Sequence, residues 1–231
     1  MKRYSLGFGL IEVMVALVLG VMLVLGITQI FLSARVSYLS QLSSAQMQED
    51  ARYVLSKLAQ QIRMAGMFGC LPLTRVVDVP AAFQTPILWD GAADSGALRM
   101  ISADVGLQAG KPDWTVVSDC KARTKVYSGA YWALSPGEIA FPVRHVVYRF
   151  DNGQLRTGLN NAVLLDNVAA FDVSFGMASS SQALAVVRYE RIPVDNANIR
   201  SVKIALLLRD PKGRVKDQAY HLVVAVRNRL G

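Results

Sequence analysis

The pattern of apolar and polar positions divides the chain into three parts. From Phe8 to Leu32 the run FGLIEVMVALVLGVMLVLGITQIFL is apolar apart from Glu12, Thr28 and Gln29. As a helix rising 1.5 Å per residue it reaches roughly 37 Å, enough to cross a hydrocarbon layer about 30 Å thick. Sixteen of its residues are Leu, Ile, Val or Phe. Each favours insertion by roughly 0.3–0.6 kcal/mol, against a cost of about 3 kcal/mol for one charge at mid-membrane, so insertion wins despite Glu12. Beyond Leu32 the spacing becomes amphipathic, with Phe31, Tyr38, Leu42, Ala45, Ala51, Leu55, Leu58 and Ile62 recurring at helical intervals. No Pro interrupts the passage, so a single helix is predicted from Phe8 to Ala65. Gly66, Gly69 and Pro72 end it, because Gly suits a C-terminal cap and Pro cannot continue the helix.

The third part reads as strands. Short segments rich in Val, Tyr and Phe, separated by turn residues, lie at Ala97–Ser102, Thr115–Val117, Glu138–Phe141, His145–Phe150, Gln154–Thr157, Val163–Asp166, Ala170–Gly176, Ala183–Tyr189, Ser201–Arg209 and Gln218–Val226. Asp151-Asn152-Gly153 predicts a tight hairpin, and Asp210-Pro211-Lys212-Gly213 a turn joining the last two strands. Ala178–Gln182 reads as a polar surface loop. The expected fold class is α+β, a long N-terminal helix packed on an antiparallel sheet. The domain boundaries that follow are 1–7 leader, 8–32 membrane half of the helix, 33–66 amphipathic half and 67–231 β-rich domain.

Charge and cysteine content add a compartment. Lys2 and Arg3 precede the apolar run with no acid among them, which leaves the N-terminus in the cytoplasm and sends the rest outward, in a bacterium to the periplasm. A secretory signal peptide shares the basic start, but its apolar run is shorter and ends in a small-residue cleavage site. Cys70 and Cys120 show neither redox nor zinc spacing. In an oxidising compartment a disulfide between them is the natural expectation, two free buried thiols being the alternative. Glu12 has two readings: it snorkels to the headgroups from near the helix end, or it pairs with a positive group on another subunit.

Gly7-Phe8-Gly9-Leu10-Ile11-Glu12-Val13 resembles the class III signal of type IV prepilins. That signal has a short basic leader, Gly before the cut, Phe after it and Glu five residues into the mature chain. The resemblance implies that a prepilin peptidase cuts after Gly7 and methylates the new amine of Phe8. It also implies that Glu12 meets the amine of an adjacent subunit during assembly; two charges in lipid are tolerated better paired than alone. Further along, Phe31-Leu32-Ser33, Gln48–Tyr53, Ile62–Gly66, Gly69-Cys70 and Val224–Arg229 are similar to the PilW group of minor pilins. For that group the implied partners are other minor pilins, the major pilin and the inner-membrane assembly platform. The implied role is to prime pilus assembly and support twitching motility or adhesion, from the inner membrane before assembly and the pilus, at its tip, afterwards.

No sequence signature argues for an enzyme or a cofactor. A phosphate-binding loop, HExxH, Gly-x-Ser-x-Gly and a dinucleotide fingerprint are absent. His145 and His221 fall in strand alternation beside aromatics and Val, and Asp166, Asp172, Asp195, Asp210 and Asp217 lack calcium-loop spacing. The net charge of +8 admits acidic partners. Its densest run, Arg200, Lys203, Arg209, Lys212, Arg214, Lys216, Arg227 and Arg229, lacks interleaved aromatics, so a solvated sheet edge is expected rather than a nucleic-acid surface. A type II secretion pseudopilin and a DNA-receptor minor pilin are the two competing functional readings.

Overall fold

A computed structural model of the chain describes residues 9–91, 95–104, 110–158 and 160–226. Helix α1 spans Leu10–Met64 without interruption, and its N-cap is Gly9. Its length agrees with the single predicted helix, but its buried face differs. Ser43, Met47, Ala51, Val54, Leu58, Ala59 and Ile62 turn inward, whereas Phe31, Tyr38, Leu42 and Ala45 stay exposed. The covered face thus begins at Ser43, later than the change in hydrophobic pattern at Leu32. Between them a helical run with amphipathic spacing is left mostly bare by the described residues, with only Leu39 and Ser40 half-buried.

Among the described residues twelve strands follow: β1 (Val76–Val77), β2 (Ile87–Gly91), β3 (Gly96–Ala103), β4 (Trp114–Ser118), β5 (Thr124–Ser128), β6 (Ile139–Asp151), β7 (Gln154–Thr157), β8 (Ala162–Leu165), β9 (Val168–Ala178), β10 (Val186–Glu190), β11 (Ile199–Leu208) and β12 (Gln218–Ala225). They form two sheets where one was expected. An eight-stranded sheet runs β1-β5-β4-β6-β3-β2, with β7 and β8 added beside the far end of β6; a four-stranded sheet runs β10-β9-β11-β12. All pairings are antiparallel except β1 with β5.

The predicted segments Glu138–Phe141 and His145–Phe150 are one strand, β6, which passes straight through Pro142. A strand residue directs its N–H and C=O to the same side. The Pro142 carbonyl accepts from Asp104 N–H at 2.7 Å, just past the end of β3, so the missing proline N–H removes no bond to β4. The hairpin at Asp151-Asn152-Gly153 is as expected, with Asn152 and Gly153 both at positive φ, the type I′ signature. The turn from Asp210 to Gly213 closes with Gly213 N–H on Asp210 O at 3.0 Å.

The helix lies across both sheets. Leu98, Met100, Tyr148, Phe150 and Leu155 from the first sheet and Phe171, Val173, Phe175, Val202, Ile204, Leu206 and Val224 from the second surround Val54, Leu58 and Ile62 in one apolar core. Alternation places them there: residues 171, 173, 175 and 202, 204, 206 share a face at period two. The opposite face of the first sheet carries Ile101, Ala103, Val116 and Val143, covered by Phe68 and Phe83, whose rings stack 3.9 Å apart. That cover comes from the segment after α1. Gly66, at φ 79°, donates its N–H to Ile101 O at 2.9 Å, and Ala103 N–H reaches Met67 O at 2.6 Å, so the chain leaving the helix hooks onto β3. The Cys70–Cys120 disulfide, with Cα atoms 5.4 Å apart, fastens this strap to the turn after β4.

Two stability consequences follow. Leu58, fully buried at the centre of the core, should cost about 2–5 kcal/mol when changed to Ala, read from the midpoint of denaturant unfolding followed by tryptophan fluorescence. Replacing Cys70 and Cys120 together by Ser reopens a loop of 50 residues. Loop entropy sets that loss at about 4 kcal/mol before any relief of strain, measurable in the same assay.

Candidate functional site

Among the described residues, little covers the helix below Ser43, where only Leu39, Ser40 and Gly20 are half-buried. Twenty large apolar side chains stand exposed along it, from Leu10 at 82% to Leu42 at 41%. Full burial of each is worth roughly 1.5–3 kcal/mol, so tens of kcal/mol of apolar contact await another environment. The helix is long and apolar enough to cross a membrane. Its polar groups are handled locally: Thr28 Oγ1 donates to Val24 O at 2.7 Å, and Glu12 Oε2 accepts from Gly9 N–H at 3.2 Å. Glu12 therefore closes the first turn of α1, where a carboxylate also meets the positive end of the helix dipole. Gly7 and Phe8 lie outside the described residues.

Residues 2–28 match the prokaryotic N-terminal methylation motif. That motif supports a type IV pilin-like protein. The match covers the basic leader and most of the exposed apolar run, and together they fit anchoring in the inner membrane before assembly with other pilins, after processing by prepilin peptidase. The pilin-like α+β architecture agrees: one long apolar helix, then β-sheets. No curated protein and no solved structure matched the chain.

The boundary between covered and bare helix is built by a polar collar. Asp210, buried at the β11–β12 turn, pairs with Arg214 at 3.3 Å and accepts from Arg214 N–H at 2.7 Å, while Arg214 Nη2 reaches Ser43 Oγ at 3.4 Å. One residue on, Gln218 Nε2 donates to Ser44 Oγ at 2.8 Å. The turn thereby grips two consecutive serines of α1. The pilin-like chain thus has a defined seam at which its domain ends and its bare helix begins.

The remaining sequence candidates have structural roles among the described residues. His145 and His221 lie on sheet faces; the backbone N–H of His145 donates to Asp113 at 2.7 Å, and its ring packs 4.8 Å from Trp114. Asp166 accepts from Gln154, Asp172 pairs with Arg191, Asp195 caps the short 3₁₀ turn Asn196–Asn198 through Ala197 N–H, and Asp217 pairs with Arg209. No group of three His, Cys, Asp or Glu able to hold a metal occurs among the described residues.

The basic C-terminal run is only partly a solvated edge. Arg200 is 2% exposed and donates to the carbonyls of Ser180, Ser181, Ala183, Ala197 and Ile199. The Ala178–Gln182 segment, read from sequence as a surface loop, is thereby fastened to β11, and the predicted strand at Ala183 starts only at Val186. Arg209 and Arg214 are taken up by Asp217 and Asp210, and Lys203 sits 5.7 Å from the centre of the Tyr189 ring. Arg227 and Arg229 lie outside the described residues. Nothing in the sequence near Arg200 marks it as buried; three of the five carbonyls, from Ser180, Ser181 and Ala183, lie on a segment that meets the start of β11 only after folding.

The collar should be sensitive to acid. Hydrogen bonds from the Arg214 side chain hold the Asp210 carboxyl well below its ordinary value of 3.8, further lowered by backbone N–H groups and opposed by desolvation. A depressed native pKa contributes stability that is complete above the ordinary value and declines as pH falls through it towards the native one. The thermal midpoint should therefore fall as pH drops below about 4, and Asp210→Asn should start lower at neutral pH and fall less steeply.

Proposed function

We propose that this chain is a minor pilin of a type IV pilus, PilW-like in its role, which primes assembly with other minor pilins and supports twitching motility or adhesion. The observation that carries the reading is the bare helix: an N-terminal methylation motif continues into an apolar surface that the described residues leave largely uncovered up to the collar at Ser43. Lipid covers such a surface while the subunit waits, with residues 8–32 in the inner membrane and residues 67–231 in the periplasm. A bundle of pilin helices covers it afterwards, in the pilus and at its tip, where the major pilin and the inner-membrane assembly platform are the further partners. The mechanism is structural and needs no cofactor.

In this reading Gly7 is the residue before the peptidase cut and Phe8 the residue methylated after it. Glu12 is the register mark of assembly. Its carboxylate lies one residue from Phe8, on the Gly9 N–H, and incorporation exchanges that local bond for the amine of a neighbouring subunit. Charge pairing inside an apolar bundle is strongly favoured over an isolated carboxylate. The domain above the collar then presents its sheets to other subunits.

Two substitutions separate processing from assembly. A bulky replacement of Gly7 should leave only the uncut precursor on immunoblots of membranes. Glu12→Ala should be cut normally yet be lost from sheared pili. Normal pili and motility after deletion of the gene would refute the priming role, and export failure in that strain would favour the pseudopilin reading.

A further inference from the structure

β5 lies near one end of the eight-stranded sheet, and β1 pairs with only its first two residues. At period two, Arg123, Lys125 and Tyr127 share one face, while Thr124 is buried and Val126 packs on the cluster under Phe68 and Phe83. Over about 13 Å that outer face passes from exposed cations to aromatic rings. Tyr131, from the loop after β5, stacks on Tyr127 with ring centres 3.7 Å apart, and Lys125 Nζ sits 5.3 Å from the centre of the Tyr127 ring. The two tyrosine hydroxyls share a hydrogen bond, which pushes Tyr131 above its ordinary value. Trp132, the next residue, is 85% exposed, more than any other aromatic side chain among the described residues.

The loop that carries Tyr131 and Trp132 is tied at both ends. Thr115 Oγ1 donates to Gly129 O at 2.6 Å, and Gly129 N–H donates to Asp113 O at 2.8 Å. At the far end Ser135 N–H donates to the Glu138 carboxylate at 2.8 Å, and Glu138 N–H returns to Ser135 O at 3.1 Å. The basic side is extended by Arg75, whose Nη1 donates to Lys121 O at 3.5 Å. Arg75, Lys121, Arg123 and Lys125 are exposed and enter no ion pair among the described residues. The acids that flank the run are engaged by backbone groups: Glu138 by Ser135, and Asp119 by the N–H groups of Lys121, Ala122 and Arg123, each at 2.9 Å.

Cations by themselves make a solvated edge, and the C-terminal run lacks the aromatics that would make it more. Here exposed ring faces stand beside the cations. A nucleic-acid strand with unpaired bases meets both: its phosphates exchange condensed counterions for Lys and Arg, and its bases stack on aromatic faces. A duplex hides its base faces, and an acidic protein segment matches the charge alone. We propose that the outer face of β5 and the loop after it bind single-stranded nucleic acid, with phosphates on Lys121, Arg123 and Lys125 and bases stacked on Trp132 and the Tyr127–Tyr131 pair. The surface stands apart from the bare helix and the collar, and it does not rest on the priming role.

The test uses the intact chain in a non-ionic detergent and a fluorescently labelled oligothymidylate of about 16 nucleotides, followed by anisotropy over a range of salt concentrations. Saturable binding is expected. Trp132→Ala should weaken it by about tenfold and leave the salt dependence unchanged, since it removes stacking and no charge. Arg123→Gln with Lys125→Gln should weaken it and flatten the slope of log affinity against log salt by about 1.4, the loss of two phosphate contacts. Lys212→Gln with Lys216→Gln, in the C-terminal basic run, should change neither quantity. All variants alter exposed side chains, and an unchanged thermal midpoint shows that each is folded. Absence of saturable binding overturns the proposal, as does affinity undiminished in Trp132→Ala. Tighter binding of a duplex of equal length, or of heparin, also overturns it, by assigning the surface to charge alone.

Discussion

One helix has to satisfy two apolar environments, and the rest of the molecule is arranged around that constraint. From Ser43 upward, α1 is the central rod of a core to which both sheets contribute. Below Ser43 the same helix is left largely bare by the described residues. Apolar burial is non-directional and scales with area, so a bare surface of this size demands lipid or other helices as firmly as the upper part demands its sheets. The collar of Asp210, Arg214 and Gln218 on Ser43 and Ser44 marks the change of environment with directional polar contacts. These can sit at a water boundary, where apolar packing alone would leave the edge undefined.

The two sheets divide the labour of covering the upper helix. The four-stranded sheet supplies most of the large inward side chains, through β9, β11 and β12. The eight-stranded sheet meets the helix with one face and needs its own cover on the other. That second cover is the strap of residues 66–85, whose Phe68 and Phe83 stack over Ile101 and Val143. A sheet buried on both faces explains why β3 and β4 carry long buried runs instead of clean alternation.

How legible this was in sequence depends on the range of the interactions concerned. The helix, the prepilin-like start, the Asn152-Gly153 hairpin, the Asp210–Gly213 turn and most strands of the second sheet follow from local pattern and turn chemistry. Elements whose stability is non-local were missed. β2 (Ile87–Gly91) is only five residues long and follows Pro86, and its ladder with β3 is what makes it a strand. β5 (Thr124–Ser128) alternates weakly, and β4 together with the parallel β1 holds it. Pro142 split β6 on paper because its harmlessness depends on where β3 ends. The helix face was misjudged for a related reason: hydrophobic spacing reports that a residue wants cover, but not whether its own chain provides it. The burial of Arg200 left no sequence signal, since it depends on carbonyls of residues 180–183 that reach β11 only after folding.

The hook and the disulfide also decide how the molecule carries load. A subunit held by its helix in a filament passes tension into the β-domain through the core packed on α1 and, along the chain itself, at Gly66–Cys70. There the pull divides between hydrogen bonds to β3 and a covalent crosslink to the turn after β4. With the crosslink closed, tension cannot extend residues 70–120 as a free tether. The cysteines therefore act as a mechanical shunt, placing the resistance in a bond rather than in the ladder of β3.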